Sequence, residues 1–276
     1  MCEFCHQHGE GKKWYLLMKN YSEELFRQKK SDEFMRKFFR EFTGDTSKIL
    51  SEMDSLRKGP NFVKRFMGNL VVRKQKKVHY GQIVPIEDIE KIVDLVKMVV
   101  RLPCVCRKVT LGKEVRYCFG ISAPVKGIFD EFPDLTRDFE VLSQEQAKQA
   151  FREMDEQGLV HSVWTFQTPF IGGLCNCDSD CLAYQMSFNY NIPMFFKAEY
   201  VGVTDWDKCT GCKECKTFCQ YGAILFSAFN DKCSIDPQRC YGCGICRAVC
   251  PNEAISLIER DGFKVLASAG VGSEKL

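Results

Sequence analysis

Eight cysteines in the last third of the chain repeat one spacing twice. Cys209, Cys212, Cys215 and Cys219 are separated by two, two and three residues. Cys240, Cys243, Cys246 and Cys250 repeat that spacing 31 positions later, with Pro251 after the last. Thiolates are the ligands of iron–sulfur cubanes, and this run is the one that carries two [4Fe–4S] clusters. Three cysteines so close together wrap a tight loop around one compact core. The fourth, displaced onto a following helix, reaches the other core. On that logic one cluster takes Cys209, Cys212, Cys215 and Cys250, and the other takes Cys240, Cys243, Cys246 and Cys219. Structural zinc sites also use CxxC pairs, but rarely chain four cysteines so closely.

The repeat extends past the thiols. Gly211-Cys212 aligns with Gly242-Cys243, and Ala223-Ile224 aligns with Ala254-Ile255. The glycines let backbone N–H groups approach cluster sulfurs, and the apolar pairs cover the clusters from the far side. Gln220 stands where the first run usually has proline, which alters the turn after Cys219 and removes no ligand. A two-cluster, ferredoxin-like domain over residues 201–260 is the expectation.

Six further cysteines lie in the middle of the chain: Cys104, Cys106, Cys118, Cys175, Cys177 and Cys181. Paired glycines, Gly172-Gly173, precede the last three and leave room for backbone to wrap a metal core. An i, i+4 spacing puts Cys177 and Cys181 on one face of a helix beginning at Asp178. Arg107 and that helix N-terminus both favour thiolates through their positive potential. Six candidates for the four positions of a third cluster leave two spare. A four-cysteine zinc site, or free buried thiols, uses the same residue types.

From Ile86 to Ala228 the chain resembles a group of iron–sulfur proteins from anaerobic bacteria and archaea. The residues that carry the likeness are Cys104-Val105-Cys106-Arg107, Cys118-Phe119-Gly120, Gly158-Leu159-Val160-His161 and Cys175-Asn176-Cys177. In that group such motifs precede a ferredoxin domain, and the N-terminal Cys2-Glu3-Phe4-Cys5 is similar to a subgroup of it. The resemblance implies a further iron–sulfur cluster in the middle region. Two departures are visible. Cys118 has no residue between it and Phe119-Gly120, and Asp178, Asp180 and Leu182 stand where members of the group often carry more cysteines.

Cys2 and Cys5, with His6 or His8, offer ligands for zinc or for a cluster, or stay unengaged on a terminus. Cys233 reads as a small packed apolar residue. For His79 and His161 the sequence suggests no catalytic partner, so both read as structural.

The elements that must position these thiols are legible in outline. Phe26, Phe34, Phe38, Phe39 and Phe42 recur at helical spacing within 12–58. Pro85 opens an apolar helix that Pro103 closes, and Ser143 with Gln146 forms a capping box for another that stops at Gly158. His161–Phe166 partly alternates as a strand. The predicted organisation is a helical N-terminal region over 1–84, a mixed α/β cysteine-containing domain over 85–200, the ferredoxin domain over 201–260 and a tail over 261–276. In class this is α+β, mostly helical in the N-terminal and middle regions before the ferredoxin-like C-terminal domain.

The 276 residues carry seventeen cysteines and a net charge of +3. With no basic-then-apolar leader and no apolar run of transmembrane length, the expectation is a cytoplasmic, reducing setting in which cysteines bind metal. So small a net charge does not favour nucleic acid as the main partner. The cation-rich stretch Arg57–Lys77 offers a docking surface for an acidic protein redox partner, or a solvated face. Three functions fit. The first is an electron-transfer protein of an anaerobe, passing single electrons to or from a redox enzyme. The others are a redox enzyme subunit whose mid-chain cluster is catalytic, and a cluster-based redox sensor.

Overall fold

Residues 11–43, 51, 77–122, 128, 131–133, 140–189, 192 and 194–261 are described by the structure, a computed structural model. Cys2, Cys5, His6, His8, the basic stretch apart from Lys77, and the tail beyond Asp261 lie outside the described residues. After 3₁₀ turns at Trp14–Leu16 and Met18–Tyr21 come two helices, α1 (Glu23–Gln28) and α2 (Ser31–Thr43). The Ser22 hydroxyl accepts from Leu25 N at 3.3 Å, satisfying one of the free donors that open α1.

The middle of the chain, where helix was expected to dominate, is organised on a sheet. Its strands are β1 (Gly81–Ile83), β2 (Val99–Leu102), β3 (Cys118–Ile121), β4 (Glu140–Leu142), β5 (Val160–Thr165), β6 (Ile171–Cys177) and β7 (Phe195–Phe196). Their order is β4-β2-β3-β6-β5-β1-β7. The β1–β7 pair is parallel and the other pairs are antiparallel.

The helix expected between Pro85 and Pro103 is shorter than its proline brackets. It runs as α3 (Ile86–Leu95), and Val99–Leu102 leaves it as β2. The β-branched Val99 and Val100 pair with β3 on one side and β4 on the other, so sheet hydrogen bonds prevail over helix continuation. α4 (Val105–Leu111) follows, and then α5 (Gln144–Glu156), which opens on the expected Ser143–Gln146 capping box. A second difference falls at Cys181. Asp178 does not cap a helix: Cys177 closes β6, and Cys181 is the N-cap of α6 (Leu182–Phe188).

Period-two alternation divides the sheet residues between two cores. Val99, Phe119, Ile121, Val163 and Leu174 face α3 and α5, packing on Ile89, Ile92, Phe151 and Met154. Trp164, Phe166, Cys177 and Phe195 belong to the opposite core with Phe26, Met35 and Phe39 of α1 and α2. Each such buried side chain contributes roughly 1.5–3 kcal/mol. That outweighs exposed ion pairs such as Arg152–Glu90, worth about 0–1 kcal/mol.

The C-terminal part pairs β8 (Tyr200–Thr204) with β11 (Ile255–Glu259) and β9 (Ile224–Ser227) with β10 (Lys232–Ile235). Between them lie α7 (Glu214–Phe218) and α8 (Ile245–Ala248). Ile245, Tyr221, Tyr241 and Cys243 pack into the second core, on the side of the sheet that carries the mid-chain thiols. No helix among the described residues is long and apolar enough to cross a membrane.

Candidate iron–sulfur centres

The eight repeated cysteines line two cavities. One is bordered by Cys209, Cys212, Cys215 and Cys250, and the other by Cys219, Cys240, Cys243 and Cys246. We call these the outer and inner cavities, because Cys212 is exposed while the inner cavity abuts the second core. Cys219 follows α7 directly and Cys250 lies two residues beyond α8, so neither is carried on a helix.

Backbone amides point at the sulfurs in both halves. Ala223 N donates to Cys219 Sγ and Ala254 N to Cys250 Sγ, each at 3.3 Å. Gly242 N and Gly202 N donate to Cys240 Sγ at 3.3 and 3.5 Å. Gly211 and Gly242 share a φ of +72°. A Cβ at Gly211 would come within 2.4 Å of Asp231 O, and one at Gly242 within 2.1 Å of Tyr200 O. Loops this close to the backbone, of β8 at Gly242 and of the turn before β10 at Gly211, admit no side chain at either position. Burial pushes the Cys215 thiol up to about 12. A thiolate there needs a compensating cation, which an iron core supplies. Soft, all-sulfur donor sets with amides aimed at them fit [4Fe–4S] clusters.

All six mid-chain cysteines line one chamber of about 100 Å³. Sheet register explains the first three. Cys118 on β3 lies opposite Leu102 of β2, next to Pro103-Cys104, and opposite Cys175 of β6. The Sγ atoms of Cys104 and Cys118 are 3.3 Å apart, and those of Cys118 and Cys175 3.5 Å. In Cys175-Asn176-Cys177 the alternation of a strand turns both thiols to the chamber and Asn176 away. The second row is Cys177, Cys181 and Cys106. Cys177 and Cys181 Sγ lie 3.3 Å apart, across a turn and not along a helix face, and Cys106 bonds Cys181. Hydrogen bonding with Cys106 and Cys177 holds the Cys181 thiol well below its ordinary value. Among the described residues no three Cys, His, Asp or Glu side chains converge as the shell of a single metal ion. The sulfurs line a cavity instead. Gly172 and Gly173 line the chamber with the thiols and make room for the Phe166 ring, from which their added Cβ atoms would lie 3.0 and 3.4 Å.

Residues that the sequence reading left structural brace this chamber. His161 Nδ1 bonds Asn176 Oδ1 at 2.5 Å, and its Nε2 lies 3.1 Å from Asp155 Oδ1. Asn176 Nδ2 donates to Tyr117 O at 2.9 Å. Arg107, 3% exposed, donates to Asn176 O at 3.1 Å, contacts Cys104 Sγ at 3.7 Å and pairs with Asp178 at 2.7 Å. The middle residue of the CNC segment is thus gripped from His161, its cross-strand partner, and from Arg107. A His one strand away in register with Asn176 was the available signal, and it needs the strand pairing to be read.

Gln220 joins the two parts of the molecule. Its Nε2 donates to Gly158 O at 2.9 Å and to Cys177 O at 3.4 Å, while the Tyr184 hydroxyl donates to Gln220 O. Tyr221 and Tyr241, which line the inner cavity, stack at 4.2 Å between ring centres and meet Phe188 of α6 at 5.4 and 5.5 Å.

Comparison with known proteins bears on this C-terminal part. Residues 202–251 match the family model of the 4Fe-4S dicluster domain. Over 49 residues the chain is 45% identical to a subunit of the ion-translocating oxidoreductase complex of Methanosarcina acetivorans, covering 18% of each chain. Over 56 residues it is 43% identical to indolepyruvate oxidoreductase subunit IorA of Pyrococcus abyssi, covering 20% of this chain and 8% of that one. Over 63 residues it is 35% identical to the archaeal-type glutamate synthase (NADPH) of Thermotoga maritima, covering 23% and 12%. The chain therefore spans less than a fifth of each of these three relatives. Its C-terminal part is a ferredoxin-type iron–sulfur domain, similar to segments of oxidoreductases.

Proposed function

We propose that the chain is an iron–sulfur electron-transfer protein that passes single electrons to or from a protein redox partner. The observation that carries this reading is the crosswise division of eight cysteines between two cavities, each supplied by three cysteines of one run and the fourth of the other. On it, Cys209, Cys212, Cys215 and Cys250 hold the outer [4Fe–4S] cluster, and Cys240, Cys243, Cys246 and Cys219 the inner one. The chemistry such clusters supply is one-electron transfer, with potentials set by hydrogen bonds to sulfur, charge and exposure.

The chamber of Cys104, Cys106, Cys118, Cys175, Cys177 and Cys181 is the candidate third centre. The all-thiol donor set and the Arg107 guanidinium beside it support an anionic iron–sulfur core. Gln220 follows inner ligand Cys219 in sequence and touches the Cys177 carbonyl, so inner cavity and chamber are linked by a covalent neighbour and one hydrogen bond. Exposed Cys212 makes the outer site the natural contact for a partner. A cytoplasmic setting, and a protein partner as in the oxidoreductase subunits it resembles, belong to the same reading.

A second reading is an enzyme subunit whose mid-chain centre is catalytic. The chamber favours it by extending past the thiols to His79, Phe38 and Trp164. Iron and acid-labile sulfide per chain, on anaerobically purified protein, test the first reading. About twelve iron atoms support three cubanes, about eight remove the third, and none overturns the whole, at four iron atoms per cubane. EPR signals perturbed by a small molecule would favour the enzyme.

A further inference from the structure

Cys233 is a fifth thiol in the outer cavity. It is 2% exposed, sits on β10 and lines that cavity beside Cys209, Cys212, Cys215 and Cys250. Its backbone N donates to Cys209 Sγ at 3.5 Å, and its buried side chain shares the cavity with Cys215.

The internal repeat shows how unusual the position is. Thirty-one residues earlier stands Gly202 on β8, whose N donates to Cys240 Sγ at the same 3.5 Å. Gly202 and Cys233 are therefore equivalent positions, one in each half. A Cβ added to Gly202 would lie 3.9 Å from Cys246 Sγ, the counterpart of Cys215, and 2.7 Å from Ile235 Cδ1. The inner half has bare backbone there, filled by Ile235, where the outer half has a thiol against its ligand.

Resting on the cluster reading above, we propose that the Cys233 thiol donates a hydrogen bond to the Cys215 thiolate and selectively raises the reduction potential of the outer cluster. Reduction adds one negative charge, shared by the ligand sulfurs, and a donor on a ligand sulfur stabilises the more negative state. A thiol is a weak donor in water, but here the acceptor is ionised and water is largely excluded, which strengthens the bond. The four ligand positions are already supplied, so Cys233 keeps its proton. It is a positioning residue for charge on the cluster and not a ligand.

The test is a potentiometric EPR titration of the full chain, purified anaerobically, for wild type and for C233A, C233V and C233S. Valine refills the volume without a donor, and serine restores one. In C233A and C233V one midpoint should fall while every other holds. At fixed potential the reduced-to-oxidised ratio of that cluster should drop three- to tenfold, the upper limit being 59 mV for a one-electron couple. C233S should keep the wild-type midpoint or exceed it. Unchanged midpoints, two midpoints moving together, or failure of serine to restore the value would each overturn the proposal. Loss of about four iron atoms from C233A would also overturn it, by making Cys233 a ligand. Wild type without iron overturns the cluster reading along with this one, whereas iron-loaded protein with unmoved midpoints overturns only this one.

Discussion

Gly242→Ala should damage the inner centre far more than its chemistry suggests. Gly222 and Gly242 both have positive φ, +60° and +72°, and differ in what surrounds them. A Cβ at Gly222 meets nothing within 4 Å. Alanine there costs only the left-handed backbone, about 1–2 kcal/mol. At Gly242 the new carbon would stand 2.1 Å from Tyr200 O and 2.8 Å from Tyr200 C, an overlap of about 1 Å with backbone. That carbonyl cannot swing aside. It accepts from Arg260 Nη2 at 2.7 Å, and Tyr200 pairs with Glu259 across β8 and β11. Overpacking against a fixed neighbour adds about 1–3 kcal/mol, for a total of about 2–5 kcal/mol. At about 2–4 °C per kcal/mol for a chain of this size, Gly222→Ala should lower the melting midpoint by about 2–8 °C and Gly242→Ala by up to about 20 °C. Thermal melts followed by circular dichroism, with iron counted on the same samples, read both. Gly242→Ala should also lose about four iron atoms where Gly222→Ala loses none. If the two variants melt together with full iron, the close approach of loop and strand is not what holds the inner site.

Arg107→Met keeps the aliphatic stem but leaves Asn176 O without its donor and Asp178 without its cation, and should cost about 2–4 kcal/mol. Urea midpoints check this, and Asp178→Asn, whose carboxylate is partly hydrated, should cost less. Gln220→Ala removes the bonds to Gly158 O and Cys177 O, and should cost about 1–2 kcal/mol by the same assay. Gln220→Pro, which lacks the side-chain amide, should not restore it. His79 is held neutral by burial, its value lowered from 6.5 to about 4 despite its bond to Thr165 O. The unfolded chain takes up a proton below about 6.5 that the folded chain refuses until about 4. Stability is therefore lost as pH falls through that window, by about 3 kcal/mol, and is unaffected above it. His79→Gln should flatten the difference between urea midpoints at pH 7 and pH 5, and an unaltered slope would refute the assignment.

The parts legible from residues alone were those set by local rules. The x2, x2, x3 spacing is a loop geometry, so it could be read without knowing any neighbour. Ser143 and Gln146 likewise make their capping box within one turn of helix. What sequence obscured is long-range pairing. Val96–Val100 carries apolar residues that suit a helix or a strand, and only β3 and β4 on either side decide for the strand. Asp178 has a good N-cap side chain, yet Arg107, seventy-one positions earlier, takes it as an ion partner. The i, i+4 spacing of Cys177 and Cys181 suggested one helix face. The two sulfurs do meet at 3.3 Å, but across the turn that joins β6 to α6. His161 and Asn176 carry no motif that announces a partnership, which exists only because β5 and β6 pair in that register.

The placement of the three thiol groups bears on how the protein works under the proposed reading. The six-cysteine chamber, the inner cavity and the outer cavity form a series, because Gln220, between Cys219 and Tyr221 of the inner cavity, bonds the carbonyl of chamber residue Cys177 while the outer cavity shows Cys212 to solvent. The aromatic group of Tyr184, Phe188, Tyr221 and Tyr241 fills the gap between α6, capped by chamber residue Cys181, and the inner cavity. Those side chains, each partly buried, cover part of the junction and lower the local dielectric there, which strengthens charge interactions between the two centres. A one-electron change at one end should therefore be felt at the other more strongly than between the exposed outer ligand and solvent. The Cys233 thiol stands at the far end of this series, where a local donor adjusts the outer centre without touching the junction. Coupling at one end and independent tuning at the other follow from the same asymmetry: one half of the repeat is packed against the sheet, and the other is left open.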